Sequence, residues 1–243
     1  MSAVRDPAVD SVLDKWRAQW PEWTYAEPFV PFMHRERALA WFALRGELTN
    51  AAWGGEDGRP GELKLAWWAE ELQGWSRGAR RHPLGNVLQR ESAPWQALAA
   101  TLPALRASRA RPVDAADAFS VLEPVAEALS TISTTLFASP SQPAPVPSII
   151  AGLLAERVLA HGDAVVPLQL AATEQPEREG DAARLWAREL WNRWPVPHEG
   201  AVAGRLYATL LRKRLLRFAK GGEANTPLPA WRVLGTSWRA ARR

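Results

Sequence analysis

Carboxylates, guanidinium groups and indoles are the chemical stock of this chain, because it contains no cysteine. That absence removes disulfides, thiolate nucleophiles, iron–sulfur clusters and cysteine-based zinc sites together. His34, His82, His161 and His198 are scattered, with no metal-ligand spacing, and His82 before Pro83 reads as a helix-start residue. No Ser-His-Asp order, phosphate-cradling glycine motif or dinucleotide fingerprint is present; Gly54-Gly55 lacks the strand-to-helix context such a motif needs. Among the acids, Glu70 and Glu71 are adjacent on a helix and point about 100° apart, which reads as a solvated face. Glu56-Asp57 sit in a glycine-rich loop without a partner. Glu156 and Asp163 are two turns apart on one face, about 10 Å of rise, too far to share one ion. The cations are mostly arginine. Arg35, Arg37 and Arg45 fall on or beside one helix, Arg37 and Arg45 near one face, and guanidinium groups suit phosphate oxygens. No residue is assigned a catalytic role.

The elements that must carry these residues are helical throughout. Asp6-Pro7 reads as an N-cap followed by proline at the first helical position, with Val9, Leu13, Trp16 and Trp20 recurring behind it. Pro21 ends that helix, and Pro28 and Pro31 predict an extended stretch. A second helix is expected from Glu36 to Trp53, a glycine-rich loop over Gly54–Gly61, and a third helix from Glu62 to Ser76 with Leu65, Trp68, Leu72 and Trp75 on one stripe. Further helices are expected from His82, from Ser92 to Arg106, over Val113–Phe137 with a break at Pro124, and over Ser148–Ala172, Arg178–Trp194, Ala201–Lys220 and Ala230–Arg242. The proline-rich stretch 139–147 reads as an extended loop inside one domain spanning 1–243. No alternating strand pattern or fixed repeat occurs.

Two segments resemble the squalene/phytoene synthase family. Phe32-Met33-His34-Arg35-Glu36-Arg37-Ala38-Leu39-Ala40-Trp41-Phe42-Ala43-Leu44-Arg45-Gly46-Glu47-Leu48 is similar to the family's opening helix, where an Arg-Ala-Leu element leads to an aromatic and then the first acidic motif. Gly61-Glu62-Leu63-Lys64-Leu65-Ala66-Trp67-Trp68-Ala69-Glu70-Glu71-Leu72, followed by His82-Pro83-Leu84, is similar to its Leu-x-Trp-Trp helix and downstream His-Pro. Weaker likeness continues over Leu122–Leu136, Gly162–Leu170 and Leu206–Lys220. The resemblance implies an all-α isoprenoid synthase fold, a single-domain helical bundle around a central apolar cavity, with Trp41, Trp67 and Trp68 as candidate walls.

Family enzymes join two prenyl diphosphates head to head, with Mg²⁺ holding the leaving group on two aspartate motifs spaced i, i+4. Here the first position reads Glu47-Leu48-Thr49-Asn50-Ala51, so Glu47 is its remnant, and the helix before Ala172 holds no matching pair. The family contains non-catalytic members, among them an assembly factor for respiratory complex I with degraded acidic motifs. The expectation is therefore a catalytically inactive module that binds an isoprenoid, a lipid or a protein partner without a cofactor, with Arg37 and Arg45 as candidate diphosphate ligands. The alternative is an active Mg²⁺-dependent prenyltransferase.

Location is read from charge and hydropathy. The N-terminal residues carry no apolar stretch, and no apolar run approaches the roughly 18–20 residues of a spanning helix. A cytoplasmic protein is expected, with peripheral contact to the inner membrane face. On the helix at 205–220, Tyr207, Leu210, Leu211, Leu215 and Phe218 share one face, opposite Arg205, Arg212, Lys213, Arg217 and Lys220, while Arg214 intrudes on the apolar side. That pattern suits an anionic membrane or a core helix with a solvated face. The net charge of +4 comes with no recognised nucleic-acid module, so no nucleic-acid partner is expected.

Overall fold

Asp6 caps the first helix as its position predicts: its carboxylate accepts the Ala8 N–H at 3.0 Å and Pro7 opens α1 (Pro7–Gln19). The structure is a computed structural model and describes residues 6–138, 142–173 and 180–242. A single turn, α2 (Trp23–Ala26), follows, and then two 3₁₀ turns at Glu27–Phe29 and Phe32–His34. Pro28 lies inside the first of these turns and Pro31 immediately precedes the second, so the expected extended backbone is confined to Val30 and Pro31, where ψ is 134° and 133°.

The remaining helices are α3 (Arg35–Trp53), α4 (Arg59–Trp75), α5 (Gly85–Leu88), α6 (Trp95–Ala107), α7 (Ala115–Ser120), α8 (Glu123–Phe137), α9 (Val146–His161), α10 (Leu168–Thr173), α11 (Asp181–Arg193), α12 (Val202–Ala219) and α13 (Ala230–Ala241). No strand occurs among the described residues, so the chain is all-α. Pro124 divides the Val113–Phe137 stretch by taking the first turn of α8, where its missing N–H costs nothing. The stretch expected as one helix over Ser148–Ala172 is broken at Gly162, whose φ of +57° no other residue type adopts easily. Residues 139–141 of the proline-rich loop lie outside the described residues. Beyond them, Gln142 O accepts the Gly200 N–H and Ala144 O accepts the Ser130 hydroxyl, each at 2.8 Å.

Two helices are buried on most of their faces. α3 buries Leu39, Trp41, Phe42, Leu44 and Leu48, and α9 buries Ile150, Leu153, Leu154 and Val158, so neither has the polar outer face of a surface helix. α1, α4 and α6 pack on α3, while α8, α11 and α12 pack on α9. α3 and α4 approach so closely that a Cβ on Gly61 would lie 2.2 Å from Ala51 O. The buried apolar side chains, from Val9 to Ala240, form one continuous cluster. No described helix is long and apolar enough to cross a membrane.

Candidate functional site

Between these two central helices runs a cleft of about 280 Å³, closed by α1 and α12. Trp16, Trp20, Phe42, Trp53, Leu159 and Leu211 supply its apolar surface, and Arg45, Asn50, Glu156, His161, Tyr207 and Arg214 supply its polar atoms. It is therefore a mixed cleft and not the apolar cavity the resemblance implies. A second, smaller cavity of about 60 Å³ shares Phe42, Arg45, Tyr207 and Leu211 with it and reaches Trp41 and Trp194. The Phe42 and Tyr207 rings stack at 4.7 Å between the two, so aromatic packing fills much of what would otherwise be one chamber.

The polar centre of the cleft is a three-residue chain from α3, α9 and α12. Arg45 Nη2 lies 3.4 Å from Glu156 Oε1, which also accepts the Tyr207 hydroxyl at 2.9 Å. Burial pushes the Glu156 pKa up, and the Arg45 charge and the tyrosine hydrogen bond offset only part of that. The Tyr207 pKa is raised well above its ordinary value, first by burial and then by the neighbouring carboxylate. Arg45 sits 5.3 Å from the Tyr207 ring centroid, and its Nε is buried without a hydrogen-bond partner among the described residues. A guanidinium with spare donors beside aromatic walls is suited to an anionic group. His161 titrates below its ordinary pKa because of burial and the Arg157 and Arg109 charges, so it is neutral in the cleft near neutral pH.

Arg214 explains its own intrusion on the apolar face of α12. Its Nε donates to Glu22 Oε1 at 2.6 Å, its Nη2 pairs with the other oxygen, and its guanidinium stacks 4.2 Å from the Trp20 ring centroid. The Leu228 N–H reaches the same carboxylate at 2.9 Å, so Glu22 is buried with its acceptors filled.

No protein-family model matches this chain, and no curated protein matches it.

Glu47, the remnant acid, does not reach the cleft. Its carboxylate takes Lys15 Nζ at 2.8 Å and Lys64 Nζ at 2.6 Å, tying α3 to α1 and α4. Burial opposes its charge, but the two lysine hydrogen bonds and charges outweigh that and hold its pKa below the ordinary value. A carboxylate already held by two ammonium groups is a poor Mg²⁺ ligand, and the described residues contain no group of three His, Cys, Asp or Glu able to hold a metal. The residues present do not fit the metal site that the resemblance implies for the catalytic alternative.

The other candidates are dispersed. Arg37 donates to Leu136 O at 2.6 Å and pairs with Glu91, so it anchors α8 and does not line the cleft. Eight residues along a helix span about 12 Å, which carries it out of reach of Arg45's ligands. Trp41 is buried against Trp95 and borders the smaller cavity. Trp67 and Trp68 line neither cavity; Trp68 is wholly buried against Trp75 and His82, and Trp67 packs on Trp68 beneath Arg81.

The acids read as solvated or as a pair also part company. Glu70 is exposed, but Glu71 is buried and accepts Trp75 Nε1 at 2.8 Å, Arg81 N at 2.7 Å and His82 N at 2.8 Å. It fixes the loop that lays His82 on Trp68. Asp163 leaves α9 altogether and accepts Gly180 N at 2.7 Å and Ala183 N at 2.8 Å, capping α11 from outside. Asp57 caps the start of α4 through Arg59 N at 2.9 Å. Arg35 holds its own turn, donating to Val30 O at 3.0 Å and Pro28 O at 2.9 Å.

Proposed function

We propose that this chain is a squalene/phytoene synthase-like protein that binds one prenyl diphosphate, or a lipid with a similar anionic head, without turning it over. The carrying observation is the separation of the two roles an active site would join. Arg45, whose Nη2 holds Glu156 and whose Nε has no partner among the described residues, lines an aromatic-walled cleft, while the remnant acid, Glu47, lies outside that lining and is neutralised by Lys15 and Lys64.

Size supports the same reading. Pockets for one drug-sized ligand run from roughly 300 to 1,000 Å³. A cleft of about 280 Å³ suits a single short prenyl chain and not the two that head-to-head condensation brings together. In this reading Trp16, Trp20 and Trp53 pack the chain and Arg45 holds the phosphate oxygens.

Titration of farnesyl diphosphate without divalent metal, followed by tryptophan fluorescence, tests it. Saturable quenching is expected. Arg45→Gln weakens it about tenfold or more, the worth of a charged hydrogen bond. Trp67→Ala, outside the cleft, leaves the affinity unchanged. Binding also tightens as pH falls, because protonating Glu156 releases Arg45 to the ligand. Absence of saturable binding, or equal affinity in Arg45→Gln, overturns the proposal.

A further inference from the structure

α12 turns two sides to two different cavities. Tyr207, Leu211 and Arg214 line the cleft, while Thr209, Arg212, Lys213 and Leu216, about half a turn round the helix, line a separate groove of about 320 Å³ between α11, α12 and α13. The two cavities share no lining residue. α13 adds Thr236 and Arg239 to the groove, and the chain after α11 adds Val196. The apolar face of α12 is buried in the core, from Tyr207 to Phe218, which leaves its basic side open. Of the cations expected on that side, Arg205 is buried against Gly200 O and Ala240 O, and Arg217 donates to Pro227 O at 2.9 Å and Glu223 O at 3.3 Å. Arg212 and Lys213 are the ones left to the groove.

Three cations meet there, and the described lining holds no acid. The Arg212 guanidinium lies 4.4 Å from the Trp191 ring centroid, its Nη2 reaches Trp191 O only at 3.5 Å, and its Nε is buried without a partner among the described residues. Burial lowers its pKa, as it must for a guanidinium with no counter-charge beside it. Lys213 and Arg239 are exposed, and among the described residues neither has a carboxylate within ion-pair distance. By contrast, Lys15, Lys64, Arg37, Arg45, Arg193 and Arg214 each hold a carboxylate. Thr236 is only 8% exposed, yet its hydroxyl makes no hydrogen bond among the described residues. A buried hydroxyl without a partner and three cations without an acid, round one concave space, are a donor set for an oxyanion.

We propose that the groove between α11, α12 and α13 binds a small soluble phosphate ester, its phosphate among Arg212, Lys213, Arg239 and the Thr236 hydroxyl. Charge and size choose the ligand. A phosphate monoester carries a charge of about −1.5 to −2 near neutral pH on three strong acceptor oxygens, enough for this donor set. A carboxylate brings one charge and two oxygens, and would leave part of the set unpaired. A groove of about 320 Å³ takes one small molecule, with Val196 and Leu216 as the apolar wall for its organic part. This site stands independently of what the cleft binds.

Amine acetylation of the full chain, read by mass spectrometry, tests it, because Lys15, Lys64, Lys213 and Lys220 are the only lysines and one of them lines the groove. Phenyl phosphate at constant ionic strength is expected to slow acetylation of Lys213 saturably and to leave that of the exposed Lys220 unchanged, which separates a site from screening. Benzoate, the same ring with a single charge, needs at least about tenfold more for the same protection. Arg239→Ala raises the half-protecting concentration about tenfold, the worth of one charge-assisted hydrogen bond. Arg239 is exposed, so unchanged thermal unfolding separates loss of the site from loss of fold. No protection of Lys213, equal protection of Lys220, equal potency of benzoate or unchanged protection in Arg239→Ala each overturns the proposal. Protection by phosphatidylglycerol vesicles or by polyglutamate, with none by phenyl phosphate, also overturns it, by giving the groove to a membrane or to an acidic protein segment.

Discussion

Glu47 and Glu156 are the same residue type on the two central helices, and their surroundings drive them in opposite directions. Glu47 meets two ammonium groups within 2.8 Å and titrates below an ordinary carboxylate. Glu156 meets one guanidinium at 3.4 Å and a phenol, lies deeper, and titrates above it. Desolvation acts on both, so the number and closeness of hydrogen-bonded cations decides the outcome. Glu47 is consequently a fixed negative charge that staples three helices. Glu156 is a titratable partner of Arg45, whose Nε is left without a hydrogen-bond partner among the described residues.

The largest expected effect breaks the Glu156 side. Arg45→Leu leaves a buried carboxylate with only Tyr207, and urea unfolding should show a loss of about 3–5 kcal/mol near neutral pH. Adding Glu156→Leu should restore most of it; a single variant as stable as the parent would mean that the carboxylate is effectively solvated. On the other side, Glu47→Gln should cost only about 1 kcal/mol, because Lys15 and Lys64 are 56% and 43% exposed and relax into water.

The sharper contrast is in sign. Lowered in the folded state, Glu47 contributes stability above the unfolded carboxylate pKa and loses it as pH falls through the folded pKa. Raised in the folded state, Glu156 contributes stability below the unfolded pKa and loses it as pH rises through the folded one. Measured across the acid range, Glu47→Gln should therefore fall behind the parent as pH rises, and Glu156→Gln should gain on it. Parallel slopes would dissolve the distinction between the two sites. The smallest effect belongs to Lys15→Ala, under about 1 kcal/mol and vanishing in high salt, since Lys64 remains on the carboxylate.

Most of the helical frame was legible because its signals are local. Asp6-Pro7, Gly54-Gly55, Pro124 and the stripe of Leu65, Trp68, Leu72 and Trp75 act through nearest neighbours and the helical period. The site was legible only in part. Arg45 was picked out by residue type, yet its partner Glu156 lies 111 residues away and Tyr207 a further 51. Nothing local separates Glu70 from Glu71; the loop at Arg81-His82 folds over one and leaves the other in water. Arg214 carried a readable signal, a cation on an apolar face, and the reason for it, the buried carboxylate of Glu22, lies 192 residues away. Trp231, Leu234 and Trp238 share helical spacing, but it is the packing of α13 by its other side, through Val233, Thr236, Ser237 and Ala240, that leaves them exposed.

Diphosphate release tests the central claim most directly. The full chain is incubated with farnesyl diphosphate and geranylgeranyl diphosphate in the presence of Mg²⁺ and NADPH, beside a heat-inactivated control. The expected result is no release above the control under conditions where farnesyl diphosphate saturates the cleft. Sustained, Mg²⁺-dependent release would contradict it and show that acids other than Glu47 assemble a working metal site.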